Sequence, residues 1–189
     1  MNARDFVQLA MLAMGTPIQG KTKLQKTVYF LGLMTGCLDE LGYRAHFYGP
    51  YSDEVADAIG WMQTLGAVDQ TSYGVGRVDE SGFEIRRYDF RLNEPGRQFV
   101  EATSRRYPDL WKKIEHAAKI LKASGDLDYV KMSIAAKTYF MLQETDGRAN
   151  EPDLARLASR FGWEVTLDQV KEAVAYLRRI GLVRTTQPV

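Results

Sequence analysis

The chain contains little of the chemistry that marks secreted, metal-binding or strongly basic proteins. Its 189 residues include one cysteine, Cys37, which excludes an intramolecular disulfide and is typical of a reducing cytoplasm. It has two histidines, His46 and His116, and no third ligand is evident beside either, so the sequence predicts no metal site. The formal net charge is +1, so no global field attracts a polyanion such as nucleic acid.

Long apolar runs are also missing. No stretch is long enough to span a bilayer, so we expect a cytoplasmic protein without a membrane partner. The first fifteen residues hold only a short apolar segment behind Asp5, and an amphipathic first helix is a better interpretation than a signal peptide. Apolar content is 45%, which is ordinary for a globular protein and predicts a real core.

The chain is organised around residues 48–68. A turn at Gly49 and Pro50 precedes Ser52, a residue type that commonly caps the N-terminus of a helix. Apolar residues then recur at helical spacing until Gly66, which is typical of a helix end. The segment after Gly66 is extended in pattern, so this stretch predicts a turn, a helix and the start of a strand.

The neighbouring segments complete a recognisable pattern. A helix is expected over about 21–34, and a glycine-rich hairpin over 68–92. Helix, turn, helix and hairpin together predict a winged helix. The apolar alternation of the returning arm changes phase at Arg86-Arg87, which predicts a β-bulge there or a change of buried face. The alternation of apolar and polar residues over 43–47 predicts a short half-buried strand.

The rest of the chain is expected to be helical. A strongly amphipathic helix is predicted over 108–123, and the next helix is apolar nearly all round, so we expect it to be buried between two halves. The fold class is therefore mainly α with a small antiparallel β wing. We expect a winged-helix domain over 1–104, a helical bridge over 105–145 and a C-terminal helix-turn-helix unit over 146–189.

The second helix of the winged-helix pattern has an acidic outer face. Asp53, Glu54 and Asp57 lie on it, and this is the wrong sign for a helix in a DNA groove. The face is either a solvated surface with carboxylates near a helix N-terminus or a contact surface for another protein. Trp61 lies off the buried stripe and is either an anchor for a protein contact or part of the core under the wing.

Signatures of catalysis and cofactor binding are weak. No nucleophile motif surrounds any serine, and Cys37 at the end of an apolar helix is best interpreted as a packed thiol. The pair Gly74 and Gly76 lacks the third glycine and the following helix of a dinucleotide-binding loop, so a wing tip is the better interpretation. We therefore expect no enzyme and no cofactor.

The segment 104–122 is the best candidate for contacting nucleic acid. It contains two acidic residues and six basic ones. The basic residues are Arg105, Arg106, Lys112, Lys113, Lys119 and Lys122. These residues form either a solvated surface or a set of phosphate contacts with weak, salt-dependent affinity. In the C-terminal unit, Gln169, Glu172, Tyr176 and Arg179 are expected to face outward, which gives a weaker signal for base contacts.

Two short motifs resemble a known group of proteins. Residues 23–26, Lys-Leu-Gln-Lys, followed by Val-Tyr-Phe at 28–30, resemble a helix of the YwgA-like and SocA-type (Panacea) antitoxin families. The turn at 48–52, Tyr-Gly-Pro-Tyr-Ser, is similar to the second motif of these families, and 132–142 is similar to the central helix of the YwgA-like group. The resemblance implies a non-catalytic accessory protein, often an antitoxin domain or a regulator near defence genes.

These observations leave hypotheses from different classes. The first is a protein-interaction module, antitoxin-like or a defence-associated adaptor, whose partner is another protein such as a toxin or defence component. The alternative is a DNA-binding transcriptional regulator, expected to be a homodimer, that uses the wing and the basic 105–122 face. A hydrolase is the third, and nothing in the sequence favours it.

Overall fold

The computed structural model describes residues 1–15, 17–78, 84–125 and 127–184 of the chain. It is mainly helical with one small antiparallel sheet, as the sequence predicts. The helices are α1 (Ala3–Met14), α2 (Lys21–Thr35), α3 (Asp53–Thr64), α4 (Glu94–Arg106), α5 (Pro108–Ala123), α6 (Tyr129–Glu144), α7 (Glu151–Leu157) and α8 (Leu167–Arg179). The strands are β1 (Ile18–Gln19), β2 (Val68–Val78) and β3 (Glu84–Leu92), with β3 between the other two.

Side-chain caps begin most of these helices. The Ser52 hydroxyl accepts a hydrogen bond from the Val55 amide at 3.0 Å and begins α3. Asn93 and Asp128 begin α4 and α6 in the same way. Thr166 begins α8 with a reciprocal capping box, in which both its side chain and its backbone amide are paired. The prediction of a cap at Ser52 is confirmed, because capping depends only on residues within one turn.

One large apolar core joins most of the elements. It includes side chains of the sheet and of every helix from α1 to α6, and it continues into α8 through Tyr176 and Leu177. A smaller cluster, built around Trp163, joins α7 to α8 and the end of α6. The large core therefore contains residues from each of the ranges 1–104, 105–145 and 146–189.

Helix α6 occupies the centre of this arrangement. It packs against α2 on one side and against α7 and α8 on the other. Met132, Ala135, Ala136 and Met141 are all buried, on more than one face of the helix. This confirms the prediction that a helix apolar nearly all round lies between two halves of the molecule.

The predicted strand over 43–47 is wrong. Residues 44–51 instead form a tight hairpin closed by a single bridge between Arg44 and Tyr51. Phe47 is 69% exposed rather than half-buried. The alternation has period two, but the turn at Gly49 and Pro50 follows too soon for a second pair of residues to extend the ladder.

The irregularity of the sheet lies close to the predicted position but on the other strand. The register shifts between Gly74 and Val78 of β2, which face Arg86 and Glu84 of β3. The extra residues are therefore in β2, and Arg87 pairs in regular register with Tyr73. The outward position expected for Tyr176 is also wrong: it is 3% exposed, and its ring packs edge-on against that of Phe30 of α2 at a centroid distance of 5.9 Å.

Candidate functional site at the hairpin 44–51

The two motifs that carry the family resemblance contact each other directly. Gln25 of α2 donates its side-chain amide to the Ser52 carbonyl at 2.8 Å and accepts the Ser52 amide at 3.1 Å. The Tyr43 hydroxyl donates to the Gln25 carbonyl at 2.6 Å. Because Gln25 and Ser52 are both buried, these bonds fix both ends of the hairpin to α2.

Lys26 lies beneath the turn of the hairpin. Its side chain is almost completely enclosed, at 1% exposure, and its Nζ donates to the Pro50 carbonyl at 2.6 Å. Burial, with a further contribution from the positive charge of Lys137, lowers the pKa of Lys26 to about 7. The amine is therefore neutral in a large part of the molecules near neutral pH.

Helix α6 supports the turn from the opposite side. The Ser133 hydroxyl donates to the Tyr48 carbonyl at 2.5 Å. Gly49 has a φ of +91°, and a Cβ placed on it would lie 2.9 Å from Lys137 Cγ. Both the backbone conformation and the close approach to α6 therefore require glycine at this position.

The C-terminal part of the chain also holds the hairpin. Trp163 donates its indole N–H to the His46 carbonyl at 2.8 Å. Its ring stacks on Phe161 at a centroid distance of 4.8 Å, and Lys137 Nζ lies 5.5 Å from its centroid. Segments of the chain far apart in sequence thus fix the backbone of one short hairpin.

Two aromatic side chains project from this fixed backbone into solvent. Phe47 is 69% exposed and Tyr48 is 56% exposed, with their rings edge-on at 5.0 Å. We call this pair the aromatic tip. Rigidly presented exposed aromatic side chains are typical anchors of protein interfaces. Sequence reasoning missed both residues, although an aromatic pair directly before a Gly-Pro turn is a signal that could have found them.

The acidic residues predicted from sequence lie next to the hairpin. Asp53, Glu54 and Asp57 are all exposed on the first two turns of α3, which follows the hairpin directly. Asp53 forms an ion pair with Arg44 at the base of the hairpin, and Glu54 accepts a hydrogen bond from the Ser52 hydroxyl at 3.1 Å. The three carboxylates therefore stand close to the base of the hairpin that carries the aromatic tip.

Trp61 occupies a different environment. It is half-buried, with its ring centroid 6.1 Å from that of Phe99. The Arg4 guanidinium lies 5.2 Å from the centroid of the same ring. Trp61 is therefore packed in part against residues of α1 and α4.

All six basic residues of the 105–122 segment are exposed, but several make contacts within the chain. Lys112 lies 3.9 Å from Asp109 and Lys119 lies 3.6 Å from Glu115. Lys122 donates to the Ala13 carbonyl at the end of α1, at 2.9 Å. The Arg106 guanidinium lies over the Tyr107 ring at 5.2 Å. These contacts leave Arg105 and Lys113 as the members best able to meet a phosphate.

Within the described ranges, no three His, Cys, Asp or Glu side chains come together as metal ligands. A helix both long and apolar enough to cross a membrane is likewise absent from that part of the chain. The sequence matches no protein-family model, and a search of curated proteins finds no significant match.

Proposed function

We propose that the chain is a non-catalytic winged-helix module that binds another protein through the aromatic tip, as an antitoxin-like or defence-associated adaptor. The element order α1-β1-α2-α3-β2-β3, with β1 paired to β3, supports the winged-helix assignment. The contact between the two motifs supports the family resemblance, because residues that carry it meet at one place. The lone cysteine supports a cytoplasmic setting.

The observation that carries this proposal is the exposure of Phe47 and Tyr48 on a fixed backbone. Such anchors lose little conformational entropy when they bind, because the backbone is ordered before the partner arrives. The neighbouring carboxylates Asp53, Glu54 and Asp57 define the chemistry of the partner. A segment with apolar and basic side chains would pack on the rings, stack its cations on them and pair with the acids.

The test is site-specific photo-crosslinking in the native cells. A photo-reactive residue placed at position 47 is expected to capture a discrete protein. The same residue at position 129 is the control, because Tyr129 is equally exposed, at 56%, on the N-terminus of α6. The double variant Phe47→Ala with Tyr48→Ala is expected to lose at least tenfold of the captured protein by affinity purification, whereas Tyr129→Ala keeps it. Equal capture at both positions would remove the basis of the proposal.

DNA binding is the second candidate, favoured by the exposure of all six basic residues of the 105–122 segment. In this case duplex affinity should fall steeply with salt, because counterions are released from the phosphates. Titrations at two salt concentrations with Arg105→Ala and Lys113→Ala test it, since neither substitution removes an ion pair within the described part of the chain. A duplex affinity that does not change with salt, and that is the same in the variant carrying both Arg105→Ala and Lys113→Ala, would exclude DNA binding by this segment.

A further inference from the structure

The hairpin 44–51 packs on the buried amine of Lys26, and a buried amine is an unusual contact for an exposed loop. Lys26 Nζ has the Pro50 carbonyl as its hydrogen-bond acceptor, at 2.6 Å. A protonated lysine offers three donors, and one carbonyl in an enclosed site replaces only a small part of its hydration. The site therefore suits a neutral amine far better than an ammonium group.

The charged and titratable groups around Lys26 do not change this balance. From α6, Lys137 adds a second positive charge, and burial lowers its own pKa as well. The hairpin contributes Arg44 and His46, and the start of α3 contributes Asp53 and Glu54. Arg44 and Asp53 pair with each other, and Glu54 is bonded to Ser52.

Two tyrosines complete this environment. Tyr29 lies on α2 itself, and Tyr43 stands at the base of the hairpin. Burial raises the pKa of both hydroxyls, so both are neutral near pH 7. Among the described residues, no carboxylate lies within ion-pairing distance of Lys26.

We propose that the hairpin 44–51 is a pH-responsive element, seated on α2 and α6 while Lys26 is neutral and released when Lys26 is protonated. Release lets water reach the ammonium group, and the turn that covers it is the smallest part of the structure that must move. The Pro50 carbonyl accepts the hydrogen bond from Lys26 Nζ, so opening the hairpin gives water access to Lys26 without disturbing α2. The contacts that open together are those from Lys26, Ser133 and Trp163 to the hairpin backbone.

This inference concerns regulation of the aromatic tip and in that sense rests on the proposed function. Release of the hairpin would end the fixed presentation of Phe47 and Tyr48, so binding at the tip would weaken as pH falls. Release of the hairpin can be measured without a binding partner. The pH response of the hairpin can therefore be refuted or supported separately from the protein-binding proposal.

Hydrogen exchange measured on the whole chain between pH 8.5 and 6 tests the inference. The amides of Arg44, Gly49 and Tyr51 are hydrogen-bonded within the hairpin and report its closure. After correction for the intrinsic pH dependence of exchange, their protection is expected to fall at least about tenfold in the wild type. Lys26→Met, which keeps length and removes the amine, is expected to change less than twofold over the same range.

Two further variants assign the effect. Lys137→Met removes the neighbouring charge and is expected to reduce the fall in protection, because the seated hairpin then tolerates a protonated Lys26 better. His46→Gln is the control for the imidazole side chain of the hairpin, and it is expected to keep the wild-type response. A response that persists in Lys26→Met, or disappears in His46→Gln, would overturn the proposal, as would pH-independent protection in the wild type.

Discussion

Trp163 donates its indole N–H to the carbonyl of His46, 117 residues earlier in the chain, at 2.8 Å. This bond joins the C-terminal part of the molecule to the hairpin that carries the aromatic tip. Together with the bonds from Lys26 of α2 and Ser133 of α6, it holds the hairpin backbone from three directions. A short loop with one bridging pair would otherwise be mobile.

Trp163→Phe should therefore destabilise the chain by about 1–2 kcal/mol. The substitution keeps an aromatic ring to stack on Phe161 but leaves the His46 carbonyl without its donor. Denaturant unfolding measures the change, and Trp111→Phe, at a partly buried position of α5, is the control. Equal losses in the two variants would show that ring size, and not the hydrogen bond, sets the effect.

Gly49→Ala should be more damaging than a glycine substitution elsewhere at a similar φ. The new Cβ would meet both an unfavourable φ of +91° and Lys137 Cγ at 2.9 Å. Gly66→Ala is the matched control, because its φ is +68° and no atom of the described residues lies within 4 Å of the added carbon. We expect a loss of about 1 kcal/mol for Gly66→Ala and about 2–3 kcal/mol for Gly49→Ala, by thermal or denaturant unfolding. Equal losses would mean that α6 yields to the added methyl group.

The sequence predicts the helices and their caps because those depend on neighbouring residues. Ser52, Asn93 and Thr166 each act within a single turn, and α6 shows its burial directly in its composition. The hairpin of β2 and β3 also follows from the local pattern, apart from the strand that carries the extra residues.

The site could not be predicted in the same way, because its contacts join residues that are distant in sequence. Lys26 looks like the third of three basic residues at the start of a helix, and nothing nearby in the sequence indicates that it is buried. The helical pattern of α8 predicts an exposed Tyr176, whereas its ring packs against Phe30 of α2, which is more than 140 residues earlier in the chain. Phe47 fits an alternating pattern, but in the described part of the chain this stretch pairs only through the bridge between Arg44 and Tyr51.

The free energy of unfolding should depend on pH through the protonation of Lys26. Its pKa is about 7 in the folded chain and has a usual value of 10.5, so the unfolded state binds more protons between these values. Stability should therefore rise by roughly 3 kcal/mol between pH 7 and 9.5. Lys26→Met should flatten this rise and should be more stable than the wild type at pH 7. A rise of the same size in the variant would assign it to another group.

The free energy of unfolding should decrease again above about pH 10. Burial raises the pKa of Tyr29 and Tyr43, so the unfolded state loses their protons first and stability falls as pH increases. Measuring unfolding at pH 9.5 and 10.5 separates this fall from the contribution of Lys26. Tyr43→Phe should reduce the fall, although it also removes the hydrogen bond to the Gln25 carbonyl.

Substitution of Lys122 tests whether the basic segment stabilises the fold or is free to bind an anion. It donates to the Ala13 carbonyl, where the last carbonyls of α1 have no partner within the helix. Lys122→Ala should therefore cost about 1 kcal/mol of stability, whereas Lys113→Ala, on the exposed face of α5, should change it by less than about 0.5 kcal/mol. Parallel denaturant titrations test the difference. If both substitutions are neutral, Lys122 is available to an external anion, and the case for phosphate contacts by the basic segment becomes stronger.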